Sequence, residues 1–182
     1  GNKEPEIDEE YQNFWSGLPK ILDQFTEVLW AESPVLDRFK FTLGCDDIAR
    51  VWGADGQGRA WAGAPDIIAV VNNKLTLADL KTSVRPYSRK WPKDYEKGTK
   101  EWRNLLGGYM KFKKTCKQLA AYDIAIEQTL GMKVQQAAVL VSTPERTQIF
   151  KISRGFLNSL RQDWYKIVEE YYKQLEECHS EN

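Results

Sequence analysis

The sequence predicts an α/β fold, a central mixed β-sheet flanked by α-helices, and three observations predict it. Short runs rich in apolar and β-branched residues occur at 67–71 and 74–78, and again at 134–142 and 146–152. Stretches with helical period lie between and after them, at 108–130 and 154–177. The resulting order of helix, strands, helix, strands, helix puts helices on the faces of one sheet. At 182 residues the chain is long enough for a real core, so 1–182 reads as one domain.

The first element, 7–29, carries Tyr11, Phe14, Trp15, Leu18, Leu22, Phe25 and Leu29 at helical spacing, with Pro19 as a break. Its aromatic stripe reads as core. Within 51–61, Gly53-Ala54-Asp55-Gly56-Gln57-Gly58 reads as a turn joining two short strands. No Lys-Ser/Thr and helix follow those glycines, which excludes a P-loop. The runs 134–142 and 146–152 form strands around Thr143-Pro144-Glu145, and 154–177 closes the chain as a helix.

The most informative segment is 66–81. Asp66 and Asp79 are equidistant from Asn72-Asn73, since 66 + 79 equals 72 + 73, and both flanks read as strands. Asn tolerates the positive φ that a two-residue type I′ loop needs at both central positions. The hairpin then pairs residue i with 145 − i, setting Ile68 against Leu77 and Val70 against Leu75. That face ends in Asp66, Asp79 and Lys81, because Lys81 follows Asp79 by two residues. Carboxylates directly opposed on a sheet repel, so a positive charge belongs between them. A solvated surface ion pair would satisfy this at about 0–1 kcal/mol. Mg²⁺, a hard ion held by one or two carboxylates, satisfies it as well, and Asp is disfavoured in strands without a reason to be there.

Pro65-Asp66, a twelve-residue spacer and Asp79-Leu80-Lys81 followed by Thr82-Ser83 resemble the signature of the PD-(D/E)xK nuclease superfamily. Gln118-Leu119-Ala120-Ala121-Tyr122 is similar to the Q-x-x-x-Y motif of its RecB-type exonuclease branch, to which mitochondrial genome maintenance exonucleases also belong. Positions i and i+4 share a helix face, so Gln118 and Tyr122 should look together at the metal site. A packed Tyr122 beside a solvated Gln118 is the blander alternative. The resemblance runs over about 7–143. It implies a restriction-endonuclease-like core, with an aromatic helix and then a strand leading into Glu32-Ser33. It also implies that Asp66, Asp79 and the upstream acid Glu32 bind Mg²⁺ or Mn²⁺, with the Leu80 carbonyl completing the shell and Lys81, Gln118 and Tyr122 acting beside them. The stretch 38–62 departs from the pattern as an extra excursion, which leaves Glu27, Asp46 and Asp47 as rivals to Glu32. The single histidine, His179, sits near the chain end and reads as a solvated tail residue.

Formal net charge is zero, from 26 basic and 26 acidic residues, but the balance is uneven. Residues 81–117 hold twelve Lys or Arg against Asp94, Glu96 and Glu101, a footprint for phosphates. Arg85, Arg89, Lys90, Lys93, Arg103 and Lys114 are the candidate phosphate contacts. Trp91 and Tyr95, interleaved with them, are the candidate stacking platforms, since base stacking contributes about 1–3 kcal/mol per base in single-strand binders. The alternative is a solvated basic helix whose aromatics face the core, and Trp102 with Leu105 and Leu106 fits that description.

Cys45, Cys116 and Cys178 are odd in number and widely spaced, which suits reduced thiols and excludes a C-x-x-C zinc site or a four-cysteine iron–sulfur cluster within this chain. Apolar runs fall far short of the roughly 18–20 residues that span a bilayer, and no signal peptide is evident, so a soluble intracellular protein without a membrane partner is expected. The expected function is metal-dependent hydrolysis of DNA, with an exonuclease acting on single-stranded or frayed ends preferred. The rivals are a structure-specific or restriction-like endonuclease and a nuclease-like DNA-binding subunit without turnover. The pathways that fit are DNA repair, recombination and replication.

Overall fold

A computed structural model describes residues 7–31 and 51–180. A 3-10 turn at Glu9–Tyr11 leads into two short helices, α1 (Gln12–Trp15) and α2 (Pro19–Leu22). Strand β1 (Phe25–Ala31) follows. Strands β2 (Val51–Ala54) and β3 (Ala60–Gly63) form a separate hairpin. Then come β4 (Ile67–Val71), β5 (Lys74–Thr82), the long helix α3 (Lys100–Leu130), β6 (Gln136–Ser142), β7 (Thr147–Ser153) and helix α4 (Arg154–Ser180). The main sheet has the order β1-β4-β5-β6-β7. Only β5 and β6 run parallel, joined by the α3 crossover, and the other neighbours are antiparallel. The chain is therefore an α/β protein with a mixed central sheet and flanking helices.

The central hairpin has the register the asparagines imply. Val71 pairs with Lys74 and Ile67 with Ala78, every pair summing to 145. Asn72 and Asn73 take φ values of 51° and 60°, the left-handed pair that a type I′ turn demands.

Both faces of the sheet are covered. Ile68, Leu77, Val139 and Val141 pack against Phe112, Cys116 and Leu119 of α3 and Leu157 of α4. On the opposite face Ile67, Ala69, Ala78 and Leu140 pack against Leu18, Ile21 and Leu22. A register shift in β1 between Val28 and Trp30 carries Trp30 from the second face to the first, as a bulge does.

Two elements differ from the sequence reading. The helical segment expected over 7–29, broken at Pro19, forms the separate helices α1 and α2 but stops at Leu22, and Phe25–Ala31 is a strand. Thr26 and Val28 suit a strand, and pairing with β4 supplies the backbone partners that a helix end would leave unsatisfied. Helix α3 starts at Lys100 rather than near 108, capped by Thr99, whose hydroxyl accepts from the Trp102 amide at 3.2 Å. Gly107-Gly108 argues against a helix by propensity. Gly108 is used for close approach, because a Cβ there would lie 2.6 Å from the Pro86 carbonyl oxygen.

The β2–β3 hairpin docks on the helices through polar side chains. Gln128 and Thr129 of α3 each donate to and accept from the backbone of β2, at Ala54 and Trp52, completing that edge as a neighbouring strand would. Tyr172 of α4 does the same for Ala60 of β3. Asp123, fully buried in α3, accepts from Arg154 and Arg161 of α4. Among the described residues no helix is long and apolar enough to cross a membrane.

Candidate active site

Strand period places Leu77, Asp79, Lys81 and Ser83 successively on the face of the sheet that α3 covers. Asp66 immediately precedes β4, and its Oδ2 accepts from the Leu80 amide at 2.7 Å, which fixes the carboxylate against β5. The Lys81 ammonium lies 2.9 and 2.8 Å from the two oxygens of Asp79 and 4.0 Å from Asp66. The positive charge expected between the two aspartates is thus in place, supplied by a neighbour on the same face. Asp79 is fully buried, whereas the side chains of Asp66 and Lys81 are 23% and 27% exposed, so the cluster opens to solvent on one side.

Burial disfavours the charged form of Lys81, but its hydrogen bond to Asp79 and the charges of Asp79 and Asp66 outweigh that, holding its pKa above the ordinary lysine value. Lys81 is therefore a cation rather than a base at neutral pH. Helix α3 brings Gln118 and Tyr122 to the same cluster. Gln118 Nε2 donates to Tyr122 Oη at 2.7 Å, leaving the phenol O–H available to donate. Burial, with the Asp79 and Asp66 charges, raises the Tyr122 pKa against the opposing effects of Gln118 and Lys81, so the phenol stays protonated.

Two residues that shape this site had no role assigned from sequence. Gly63, at the end of β3, lets the Tyr122 ring lie against the backbone, since a Cβ there would be 2.3 Å from Tyr122 Cε1. Trp30 donates its indole N–H to the Pro65 carbonyl at 2.9 Å and so anchors the residue preceding Asp66. Gly63 lies three residues before Asp66 and Trp30 two before Glu32, yet neither contact is visible until the sheet register is known. Cys116, packed behind Asp79, is a structural thiol. Its pKa is pushed up to about 12 by burial and by Asp79, against the influence of Arg89.

The upstream acid Glu32 and its rivals Asp46 and Asp47 lie outside the described residues. Glu27 is exposed on β1 opposite Val70, four residues along β4 from Asp66, or about 13 Å of strand. That position is too distant for a ligand shared with Asp66. Among the described residues no group of three or more His, Cys, Asp or Glu could hold a metal. Among the described residues the donors at this cluster are the two aspartates, with the Leu80 carbonyl next to Asp79 in sequence. Hard carboxylate oxygens fixed on a strand and at a strand entry are the donor type that Mg²⁺ and Mn²⁺ take.

The basic and aromatic candidates divide around α3. The segment after β5 crosses the helix at Gly108, where residues 86–88 contact it. Before the crossing, Arg85 hydrogen-bonds Asn104 on the Asp79 side. After it, Arg89, an exposed residue, donates to the Lys151 carbonyl and lies over the Phe112 and Phe150 rings. Trp91 is 51% exposed and lies edge-on to Tyr109, 5.5 Å between ring centroids, and Tyr95 is 49% exposed. Lys90, Lys93, Arg103 and Lys114 are exposed. Tyr87 belongs to the core. His179 is exposed in the last turn of α4, within hydrogen-bond distance of the Leu175 carbonyl.

Fold and site together define an α/β protein that carries a carboxylate–lysine cluster on the helix-covered face of its central hairpin. No family model and no curated protein matches the chain. A solved structure described as SSO0001 is similar at 18% identity over 65% of this chain, with a TM-score of 0.32. The chain spans about half of that protein, 48% of its length. A likeness of that size bears on neither fold nor activity.

Proposed function

We propose that this protein is a metal-dependent DNA exonuclease that hydrolyses phosphodiester bonds at single-stranded or frayed ends. The observation that carries the proposal is the convergence of Asp66, Asp79 and Lys81 beside the hydrogen-bonded Gln118–Tyr122 pair. Two carboxylates, one cation and a phenol in a cluster partly open to solvent suit phosphoryl chemistry, in which positioning and charge stabilisation do most of the catalysis. The order Pro-Asp, Asp-x-Lys, Q-x-x-x-Y resembles that of RecB-type exonucleases and supplies the preference for ends.

Asp66 and Asp79 would hold Mg²⁺ or Mn²⁺, which when bound polarises a phosphate and lowers the pKa of a bound water. The Leu80 amide holds the Asp66 carboxylate beside Lys81. Lys81, held cationic, orients an attacking water and offsets charge that develops on the phosphate. Gln118 fixes the Tyr122 phenol so that its O–H donates to the substrate backbone, and the close packing of that ring on Gly63 limits its motion.

The test is digestion of 5′- and 3′-labelled single- and double-stranded DNA, and of a closed circle, with Mg²⁺ or Mn²⁺. Metal-dependent shortening from an end, abolished in Asp79→Asn and Lys81→Ala, is expected. Cleavage of the closed circle would move the reading to an endonuclease. DNA binding without cleavage of any substrate would move it to a non-catalytic subunit.

A further inference from the structure

Beyond the catalytic cluster, the face of β5 that α3 covers continues past Lys81. Ser83 occupies the next position on the Asp79–Lys81 face, about 6.6 Å beyond Lys81, a step comparable to one nucleotide of an extended strand. On α3, Lys111, Thr115, Gln118 and Tyr122 are spaced by four, three and four residues, hence on one side of the helix. The helix returns antiparallel to β5, so Tyr122 lies by Asp79 while Lys111 lies by Ser83. The Lys111 ammonium hydrogen-bonds the Ser83 hydroxyl at 3.1 Å, and Ser83 is 7% exposed. Further out, Arg85 is oriented by the Asn104 carbonyl oxygen.

Four cations that this fold orients are neutralised, Lys81 by Asp79, Arg59 by Asp55, Arg154 and Arg161 by Asp123, while Arg89, held by the Lys151 carbonyl, lies over the Phe112 and Phe150 rings on the other side of α3. Lys111 and Arg85 differ. Each is positioned by a neutral oxygen, and neither forms an ion pair with a carboxylate among the described residues. A cation directed by a hydroxyl that can itself donate is prepared for an anion. We infer that Lys111 and Ser83, with Arg85 at the rim, form a second phosphate seat, which binds a non-scissile phosphate of the same strand whose neighbour lies at Asp66 and Asp79. The inference rests on the nuclease reading for its substrate class, but binding at the seat is independent of turnover.

The test is fluorescence anisotropy of a labelled short oligothymidylate in EDTA, where no cleavage occurs, over a series of salt concentrations. Wild type is compared with Lys111→Met, Lys111→Arg and Lys113→Met. Lys113 lies about 200° around the helix from Lys111, beside Tyr109 in the cavity of about 500 Å³ between α3 and α4. Lys111→Met is expected to weaken binding by about tenfold and to reduce the salt slope by about 0.7, the value for one phosphate of a single strand. Lys111→Arg should retain the wild-type slope, and Lys113→Met should leave affinity within about twofold. Equal losses in Lys111→Met and Lys113→Met, or none in either, would overturn the seat in favour of diffuse attraction. Binding through Lys111 by a protein that never cleaves would keep the seat and remove the exonuclease reading. Cleavage with unchanged binding in Lys111→Met would do the reverse, and no binding by wild type would overturn both.

Discussion

Asp79 is the residue on which the site's energetics turn, because it is a fully buried carboxylate and the Lys81 ammonium lies 2.8 Å from it. Breaking such a pair from one side costs about 3–5 kcal/mol. Lys81→Ala is therefore expected to lose about 3 kcal/mol of stability, roughly 6–12 °C in Tm for a domain of this size. It should also lose at least about 10²-fold in cleavage rate. Added Mg²⁺ or Mn²⁺ should raise the Tm of Lys81→Ala more than that of wild type, as a cation takes the place of the ammonium. Thermal scans with and without metal check this, and the absence of any metal-dependent shift in either protein would count against Asp66 and Asp79 as ligands. Gly63→Ala inserts a methyl group into the Tyr122 ring and should cost about 1–3 kcal/mol. If Tyr122 contacts substrate, cleavage should fall beyond what the lost stability explains. Asp66, Asp79 and Lys81 were legible in sequence because strand period and turn chemistry are local rules. Ser83 and Lys111 were in view only as a signature residue and a member of a basic run, since their contact spans 28 positions.

Among the elements, the β4–β5 hairpin obeyed its sequence most closely. Replacing Asn73 with Val should destabilise the protein by about 1–2 kcal/mol, since a β-branched residue must then adopt φ near 60°. Asn73→Gly should be nearly neutral, and chemical denaturation of the two variants distinguishes them. The N-terminal segment shows where periodicity fails. Phe25 and Leu29 continue the helical stripe of Phe14, Leu18 and Leu22, yet the backbone from Phe25 gains a strand partner in β4. Helix α3 makes the complementary case, where two glycines conceal a helix because one of them is needed for the close crossing of 86–88.

For the whole molecule, stability depends on the clasp between α3 and α4. Asp123 is buried between two arginines, and Asp123→Ala should cost about 3 kcal/mol or more by leaving Arg154 without a carboxylate and Arg161 with Glu127 alone. Glu127 adds a pH-dependent contribution. Its hydrogen bond to Arg161 lowers its pKa below the ordinary 4.5, so the folded state releases this proton more readily than the unfolded chain. The stabilisation is complete above the unfolded value and is lost as pH falls through the lower folded value. Glu127→Gln should therefore flatten the loss of stability below about pH 4.5, by a few tenths of a kcal/mol as for other solvent-screened pairs. Denaturation midpoints measured from pH 6 to pH 3 check the sign. At this scale the basic run of 81–117 also changes meaning. Composition presents it as one patch, but the crossing at Gly108 puts Arg85 and Lys111 on the Ser83 side and Arg89 and Lys113 on the other.

By itself the sequence determined the alternation of elements, the turn at Asn72-Asn73, the pairing that follows from it, and the chemical type of the site: two carboxylates and a lysine on one face. These depend on periodicity and on backbone preferences within a few residues. Only the tertiary structure decided that Lys81 lies between the two aspartates, that Gln118 secures Tyr122 and that Gly63 receives its ring. The same holds for the division of the cations of 81–117 between two sides of a helix. Those outcomes depend on contacts between residues far apart in the chain, whose geometry is fixed when both faces of the sheet are buried at once.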